Sequence, residues 1–269
     1  MRKIIFIILF LNITVFFNAC DPYEHILKSN DFERKALAAK EYYNAQEFER
    51  AAPLLEEVIA YYKGQKDISD YYYYYAYCYY GMKEYVSAQY YFKQFAISYP
   101  QHTNAENAAF MSAYCYYKLT PKPSLDQTYT QEAMDMLQDF VNKYPKSTLR
   151  LRALDLFKDL RYKLEEKAML AAYTYYKTMN YKAAVTSYQN LLSDFPETNR
   201  REEINYMILQ SKYHTAINSV SDKKIERLEE VINFYHQFVV SYPTSAYVHK
   251  AETINNNAEN LLNKIKKSS

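Results

Sequence analysis

Beyond residue 30, apolar side chains recur three and four positions apart along almost the whole chain, the spacing of one face of an α-helix. The segments break at a repeated signal. Phe95 to Tyr99-Pro100, Phe140 to Tyr144-Pro145, Leu191 to Phe195-Pro196 and Phe238 to Tyr242-Pro243 each place a large apolar residue, an aromatic four later and then proline. Proline cannot continue a helix and pushes its predecessor out of the α region, so each signal predicts a helix end. A hydroxyl residue follows each proline within two or three positions (Thr103, Ser147, Thr198, Ser245), suited to capping the next helix, and Thr103 with Glu106 predicts a capping box. The pattern is that of an all-α chain of successive helices with short connections.

The helices repeat. An alanine three residues before a tyrosine recurs at Ala39 and Tyr42, Ala76 and Tyr79, Ala113 and Tyr116, and Ala172 and Tyr175. Nine residues after three of these alanines stands Phe48, Tyr85 or Tyr181, followed three later by Ala51, Ala88 or Ala184. This alternation of small and aromatic positions ending in proline resembles the tetratricopeptide repeat, in about five copies over residues ~30 to 245, and the resemblance implies a right-handed solenoid of helical hairpins. The copies are irregular: the first has Lys63-Gly64 in place of its proline, the third carries the insertion Leu119 to Thr128, and Ser147 to Met179 reads as one long helix.

Composition sharpens this picture. The chain has only two glycines, Gly64 and Gly81, which excludes glycine-rich phosphate loops and, with eight prolines, argues against a turn-rich β fold. It has 33 tyrosines in 269 residues. On the first helix of the second copy, Tyr72, Tyr75, Ala76 and Tyr79 form one stripe, and Tyr73, Tyr77 and Tyr80 another, rotated by about 100°. In a tetratricopeptide stack the first stripe faces the packed interior and the second faces a concave groove. The groove positions are then Tyr43 in the first copy, Tyr73, Tyr77 and Tyr80 in the second, Phe110, Tyr114 and Tyr117 in the third, and Tyr173 and Tyr176 in the fourth. Rings that are apolar on the face and polar at the tip suit an extended or aromatic-rich peptide.

The N-terminus follows another rule. Arg2 and Lys3 precede an apolar run from Ile4 to Phe17, too short to span a bilayer, and the run ends in Ala19-Cys20. This reads as an export signal over residues 1–19 and resembles a lipoprotein cleavage box, with Cys20 as the acylated first residue of the mature chain. Two or more acyl chains there would make membrane attachment stable. Cleavage removes two of 33 basic residues and none of 31 acidic ones, so the mature chain is balanced in charge and lacks the basic surplus of a nucleic-acid binder. Export permits a disulfide between Cys78 and Cys115, but equivalent positions on successive helical repeats lie ~9–10 Å apart, beyond the ~7 Å limit for bridged α-carbons. Two buried thiols are expected.

Catalytic signals are lacking. The five histidines (His25, His102, His214, His236, His249) show no metal-ligand spacing, no serine stands in a nucleophile elbow, and pairs such as Glu56-Glu57 or Glu202-Glu203 read as solvated helix faces. Neither a cofactor nor an enzymatic activity is expected.

A lipid-anchored chain of about five such repeats resembles the BamD family of outer-membrane-protein assembly factors. The likeness rests on the short tether after Cys20, the run from Tyr42-Tyr43 to Leu55, the Tyr99-Pro100 and Tyr144-Pro145 stops, the segment Ser124 to Thr128, and the long helix through Leu164 to Tyr176. The tyrosine abundance is similar to the Bacteroidetes type of this family. The resemblance implies a tether at 20–29, N-terminal repeats at 30–164 that engage unfolded barrel precursors, and C-terminal repeats with a capping helix at 165–269 that dock on the barrel-forming core subunit. It implies a place at the periplasmic face of the outer membrane, although Asp21 after the cysteine resembles an inner-membrane retention signal in some bacteria. Another exported tetratricopeptide adaptor, for cell-wall coordination or as a secretin pilotin, remains the alternative.

Overall fold

The structure, a computed structural model, describes residues 22–65 and 67–268. Every regular element among them is helical: α1 (Pro22–Leu27), α2 (Phe32–Asn44), α3 (Phe48–Tyr62), α4 (Ser69–Gly81), α5 (Tyr85–Ser98), α6 (Ala105–Leu119), α7 (Thr128–Lys143), α8 (Arg150–Lys177), α9 (Tyr181–Asp194), α10 (Arg201–Ile217), α11 (Ser221–Ser241) and α12 (Val248–Ser268). The fold is an all-α series of tetratricopeptide-like hairpins. All four aromatic-proline signals fall just past a helix, after Ser98, Lys143, Asp194 and Ser241. The long helix is present as α8, 28 residues without interruption.

The chain divides into two compact units, Met1–Pro121 with Thr128–Leu160, and Lys122–Gln127 with Arg161–Ser269. In the first, the hairpins α2/α3, α4/α5 and α6/α7 pack each against the next. Small residues allow the close approach: Ala39, Ala51, Ala76, Ala88 and Ala113 are fully buried. Phe92, Phe95, Leu54, Leu55 and Leu137 fill the space between them. Within the segment expected as a tether, α1 is helical and sets Tyr23 edge-on to Tyr42, ring centres 5.5 Å apart. In the second unit, Met169 and Ala172 of α8 pack with Ala184, Tyr188 and Leu191 of α9 and Ile204 and Ile208 of α10. A further cluster joins α10 and α11 to α12 through Leu209, Leu228, Phe238, Ala251 and Ala258.

Three hairpin turns share one geometry without glycine. Gln46, Lys83 and Met179 each have φ between 61° and 64°. In the first, Gln46 N–H donates to the Tyr43 carbonyl and Glu47 N–H to that of Tyr42, so the left-handed residue closes the helix in a Schellman arrangement. The same pattern recurs as Lys83 to Tyr80 with Glu84 to Tyr79, and as Met179 to Tyr176 with Asn180 to Tyr175. The two glycines serve other needs. Gly64 ends α3 at φ 79°, and a Cβ at Gly81 would lie 2.1 Å from the Phe48 ring.

The capping box between Thr103 and Glu106 does not form: the residue before α6 is Asn104, and no side chain caps the helix. The polar acceptor is instead the second residue after each proline. Ser147, Thr198 and Ser245 accept from the N–H two positions on, and His102 Nδ1 does the same for Asn104. Three of these side chains also reach an acidic residue at the start of an earlier helix or within it. Ser147 donates to Glu106, Thr198 donates to Glu165 at 2.5 Å, and His102 Nε2 lies 3.4 Å from Asp70. Each tie fastens one repeat to its predecessor, which a local cap would not do. Cys78 and Cys115 are free and fully buried, as the spacing argument expects.

Candidate functional site, a tyrosine-lined helix face

The first helices of the hairpins in the first unit carry a continuous run of rings. Tyr43 of α2 meets Tyr74 of α4 at 4.7 Å between centres. Tyr74 neighbours Tyr73 at 6.5 Å, Tyr73 meets Tyr77 at 4.9 Å, and Tyr77 meets Tyr80 at 6.3 Å. Tyr80 reaches Tyr114 of α6 at 6.3 Å, and Tyr114 stacks with Tyr117 at 5.7 Å. The i, i+3, i+4 spacing on α4 and α6 sets these residues on one side of each helix, and successive hairpins place those sides next to each other. The rings rest on the core: Tyr77 packs edge-on against Phe92 at 4.8 Å and Tyr73 lies 5.3 Å from Phe95.

Phe110 stands apart from the others named from sequence. It stacks with Tyr114 at 6.0 Å, but it is 2% exposed, pressed against Phe140 and covered by the Arg152 guanidinium, 5.5 Å from its centre. It is the floor of the face and has no surface to offer a ligand. Tyr43, Tyr73, Tyr77, Tyr80, Tyr114 and Tyr117 are partly exposed.

The phenol tips are ordered by polar partners that the sequence reading did not name. Tyr73 and Tyr77 each donate to Asn107 Oδ1 at 2.8 Å, and Tyr117 donates to Asp159 Oδ2 at 2.7 Å. Arg152 lies 5.2 Å from the Tyr114 ring centre as well as over Phe110, and has no ion-pair partner among the described residues. Asn107 was within reach of the pattern: stepping back three from Phe110 on the face that holds Tyr114 and Tyr117 lands on it. Arg152 and Asp159 sit on α8, whose approach to α6 no periodicity reports.

Burial dominates the electrostatics. It pushes the Tyr73 and Tyr77 phenols up and raises Tyr43 from its usual 10.0 to about 12. The bond to Asp159, then burial, raises Tyr117 to about 12. These hydroxyls are therefore donors over the whole physiological range. Among the described residues no group of three or more His, Cys, Asp or Glu side chains is placed to hold a metal ion.

Tyr173 and Tyr176 belong to the second unit and form a separate cluster. Tyr173 is 46% exposed, with Lys177 Nζ 5.9 Å from its ring centre, and stacks with Tyr176 at 6.4 Å. Tyr176 meets Tyr181 at 5.6 Å, and Tyr181 stacks on His214 at 4.7 Å. Burial holds the His214 imidazole below its usual range, so it is a neutral member of this group. Cys20, the expected acylation site, lies outside the described residues. No described helix is long and apolar enough to cross a membrane.

No curated protein sequence matches the chain. Among solved structures it is similar to the TPR2AB domain of yeast Sti1 in its pHSP90 complex, at 13% identity and a TM-score of 0.39 over 85% of this chain and 98% of that one. It is also similar to the TPR domain of P58(IPK), at 11% identity and a TM-score of 0.41 over 90% and 68%. A family profile described as outer membrane lipoprotein, YfiO, matches residues 34–203 and 151–266, together nearly all of the helical array. The chain belongs to the YfiO family of outer membrane lipoproteins.

Proposed function

We propose that this chain is the lipoprotein subunit of an outer-membrane β-barrel assembly machinery of Bacteroidetes type, acylated at Cys20 and held at the periplasmic face of the outer membrane. It captures unfolded barrel precursors and hands them on, without catalysis. The observation that carries this reading is the ring run Tyr43, Tyr73, Tyr77, Tyr80, Tyr114 and Tyr117, built on helices that pack firmly behind it. The terminal strand of a barrel alternates apolar and polar residues. Its apolar side chains would lie on these rings, while Arg152 beside them offers a cation to an anionic group of the guest. Tyr173 and Tyr176 serve as a second contact area in the other unit, and residues 165–262 form the docking surface for the barrel-forming core subunit.

The test is recovery of partners by the full chain from envelope extract. Enrichment of the barrel-forming core subunit is expected. Enrichment of peptidoglycan synthases or of a secretin in its place would overturn the assignment and favour another periplasmic adaptor role.

A further inference from the structure

The two phenols that converge on Asn107 decide more than the shape of the face. A side-chain amide has one carbonyl oxygen with two acceptor sites and one nitrogen with two donors. Here both oxygen sites are taken, by Tyr73 and Tyr77 at 2.8 Å each. Burial holds both phenols protonated, so their single hydrogens are spent on Oδ1 and neither has one left for a guest. The 3.5 Å separation of the Tyr73 and Tyr77 oxygens is the weaker alternative for that proton. In this orientation the carbonyl oxygen faces the two phenols and Nδ2 is left to face away from them.

Nδ2 is the remaining group. It has no hydrogen-bond partner among the described residues, and Asn107 is partly exposed, which leaves this donor to water. Its neighbours along the face are rings: Tyr73 and Tyr77, with Tyr80 and Tyr114 beyond. A guest that covers the rings also removes this water, and a donor stripped of water without a new acceptor is costly. The guest must therefore bring an acceptor to that point. A polypeptide in extended form brings a carbonyl oxygen at every residue, whatever its side chains.

We propose that Asn107 reads the main chain of the guest, donating from Nδ2 to a backbone carbonyl while the rings beside it take the side chains. This rests on the reading of the face as a polypeptide groove and gives that groove its chemistry. Contact area comes from rings that tolerate many sequences, and alignment comes from one amide that recognises what all polypeptides share. It explains how one face could accept precursors of unlike sequence and still hold them in extended form.

The probe is a synthetic terminal-strand peptide of alternating apolar and polar residues ending in phenylalanine, with the backbone amides replaced by esters one at a time. Each ester weakens one carbonyl acceptor and removes the N–H beside it; loss of sensitivity in the Asn107 variants picks out the carbonyl that Asn107 reads. Binding to the full chain is read by fluorescence anisotropy. For the natural chain, one ester position should weaken binding roughly five- to tenfold. Asn107→Asp keeps an acceptor for both phenols and removes the donor. It should bind the all-amide peptide at least tenfold more weakly and lose the sensitivity at that position. Asn107→Ala controls for the added charge, and thermal melting of each variant controls for folding. An ester profile unchanged in both variants would overturn the role of Asn107. If Tyr114→Ala weakens binding in that same experiment, the ring groove stands without its main-chain reader. If the natural chain binds no peptide, both readings fall together.

Discussion

The two units hold similar helices with a different balance of polar contacts. In the first, beside the ion pair of buried Lys35 with Glu57, many polar contacts run through phenols: Tyr75 and Tyr79 are hydrogen-bonded at 3.1 Å, Tyr73 and Tyr77 meet on Asn107, and Tyr117 donates to Asp159. In the second, charge takes over. Arg200 bonds Glu166 and, at 2.9 Å, Glu203; Arg161 pairs with Glu197; Lys212 and Lys266 pair with Glu230 and Glu229. A phenol carries its polar group on a large apolar ring, so it can knit helices together and still leave an apolar face on the outside. An ion pair gives no such face. The unit proposed to hold an apolar guest is therefore the one whose own cohesion also runs largely through tyrosine.

That contrast can be broken most strongly by alkali. A group with a raised pKa in the folded state stabilises fully below its ordinary value and loses that contribution as pH rises through the folded value. Cys78 and Cys115, ordinarily at 9.0, are pushed up to about 12 by burial, and Tyr43 and Tyr117 rise from 10.0 to about 12. All four lie in the first unit, with the strongly raised Tyr73 and Tyr75 beside them. Between pH 9 and 12 the first unit should open before the second, where Tyr188 is the strongly raised phenol. Hydrogen exchange followed by mass spectrometry would show which helices open first, and simultaneous opening would contradict the contrast.

Next in size is the effect on peptide binding. Tyr77→Ala with Tyr114→Ala should cost roughly 2–4 kcal/mol of affinity for a barrel terminal-strand peptide, about 30- to 1000-fold. Tyr173→Ala with Tyr176→Ala should change it less than about threefold. Calorimetric titration of both double variants separates the two faces, and equal losses would mean that the second unit grips as well.

Gly81→Ala comes third. The new methyl group would meet the Phe48 ring, and the shift this forces should destabilise the first unit by roughly 1–3 kcal/mol in urea unfolding. The smallest expected effect tests whether the same tie is worth the same in both units. Ser147→Ala and Thr198→Ala each leave a glutamate, Glu106 or Glu165, without its hydroxyl donor, and each should lower stability by about 1–2 kcal/mol. A loss in one and none in the other would show that the repeats are not fastened alike.

The sequence announced the helix ends better than their beginnings. Proline acts on the residue beside it, so Tyr99-Pro100 and its three counterparts marked their stops without help from tertiary structure. A cap depends on what else competes for the side chain. Glu106, suited to bonding back to Thr103, accepts from Ser147 of a later repeat instead, and His102 fills a place where the other copies have a hydroxyl. The direction of a side chain was legible and its depth was not. Phe110, Tyr114 and Tyr117 share one face by spacing, yet Phe140 and Arg152 close over the first and leave the other two partly open. The partners of the phenol tips come from α6 and from α8, remote in the chain, and only the fold brings Asp159 to Tyr117.

The depth of the two sulfurs has a consequence of its own. Cys78 and Cys115 lie wholly inside the first unit, and burial suppresses the thiolate that oxidants and disulfide catalysts attack. For an exported lipoprotein this is a matter of timing. While still unfolded, the chain offers two reactive thiols to an oxidising compartment, and once the hairpins close the same atoms become chemically silent. Closure of the first three repeats thus takes both thiols out of reach of miscoupling.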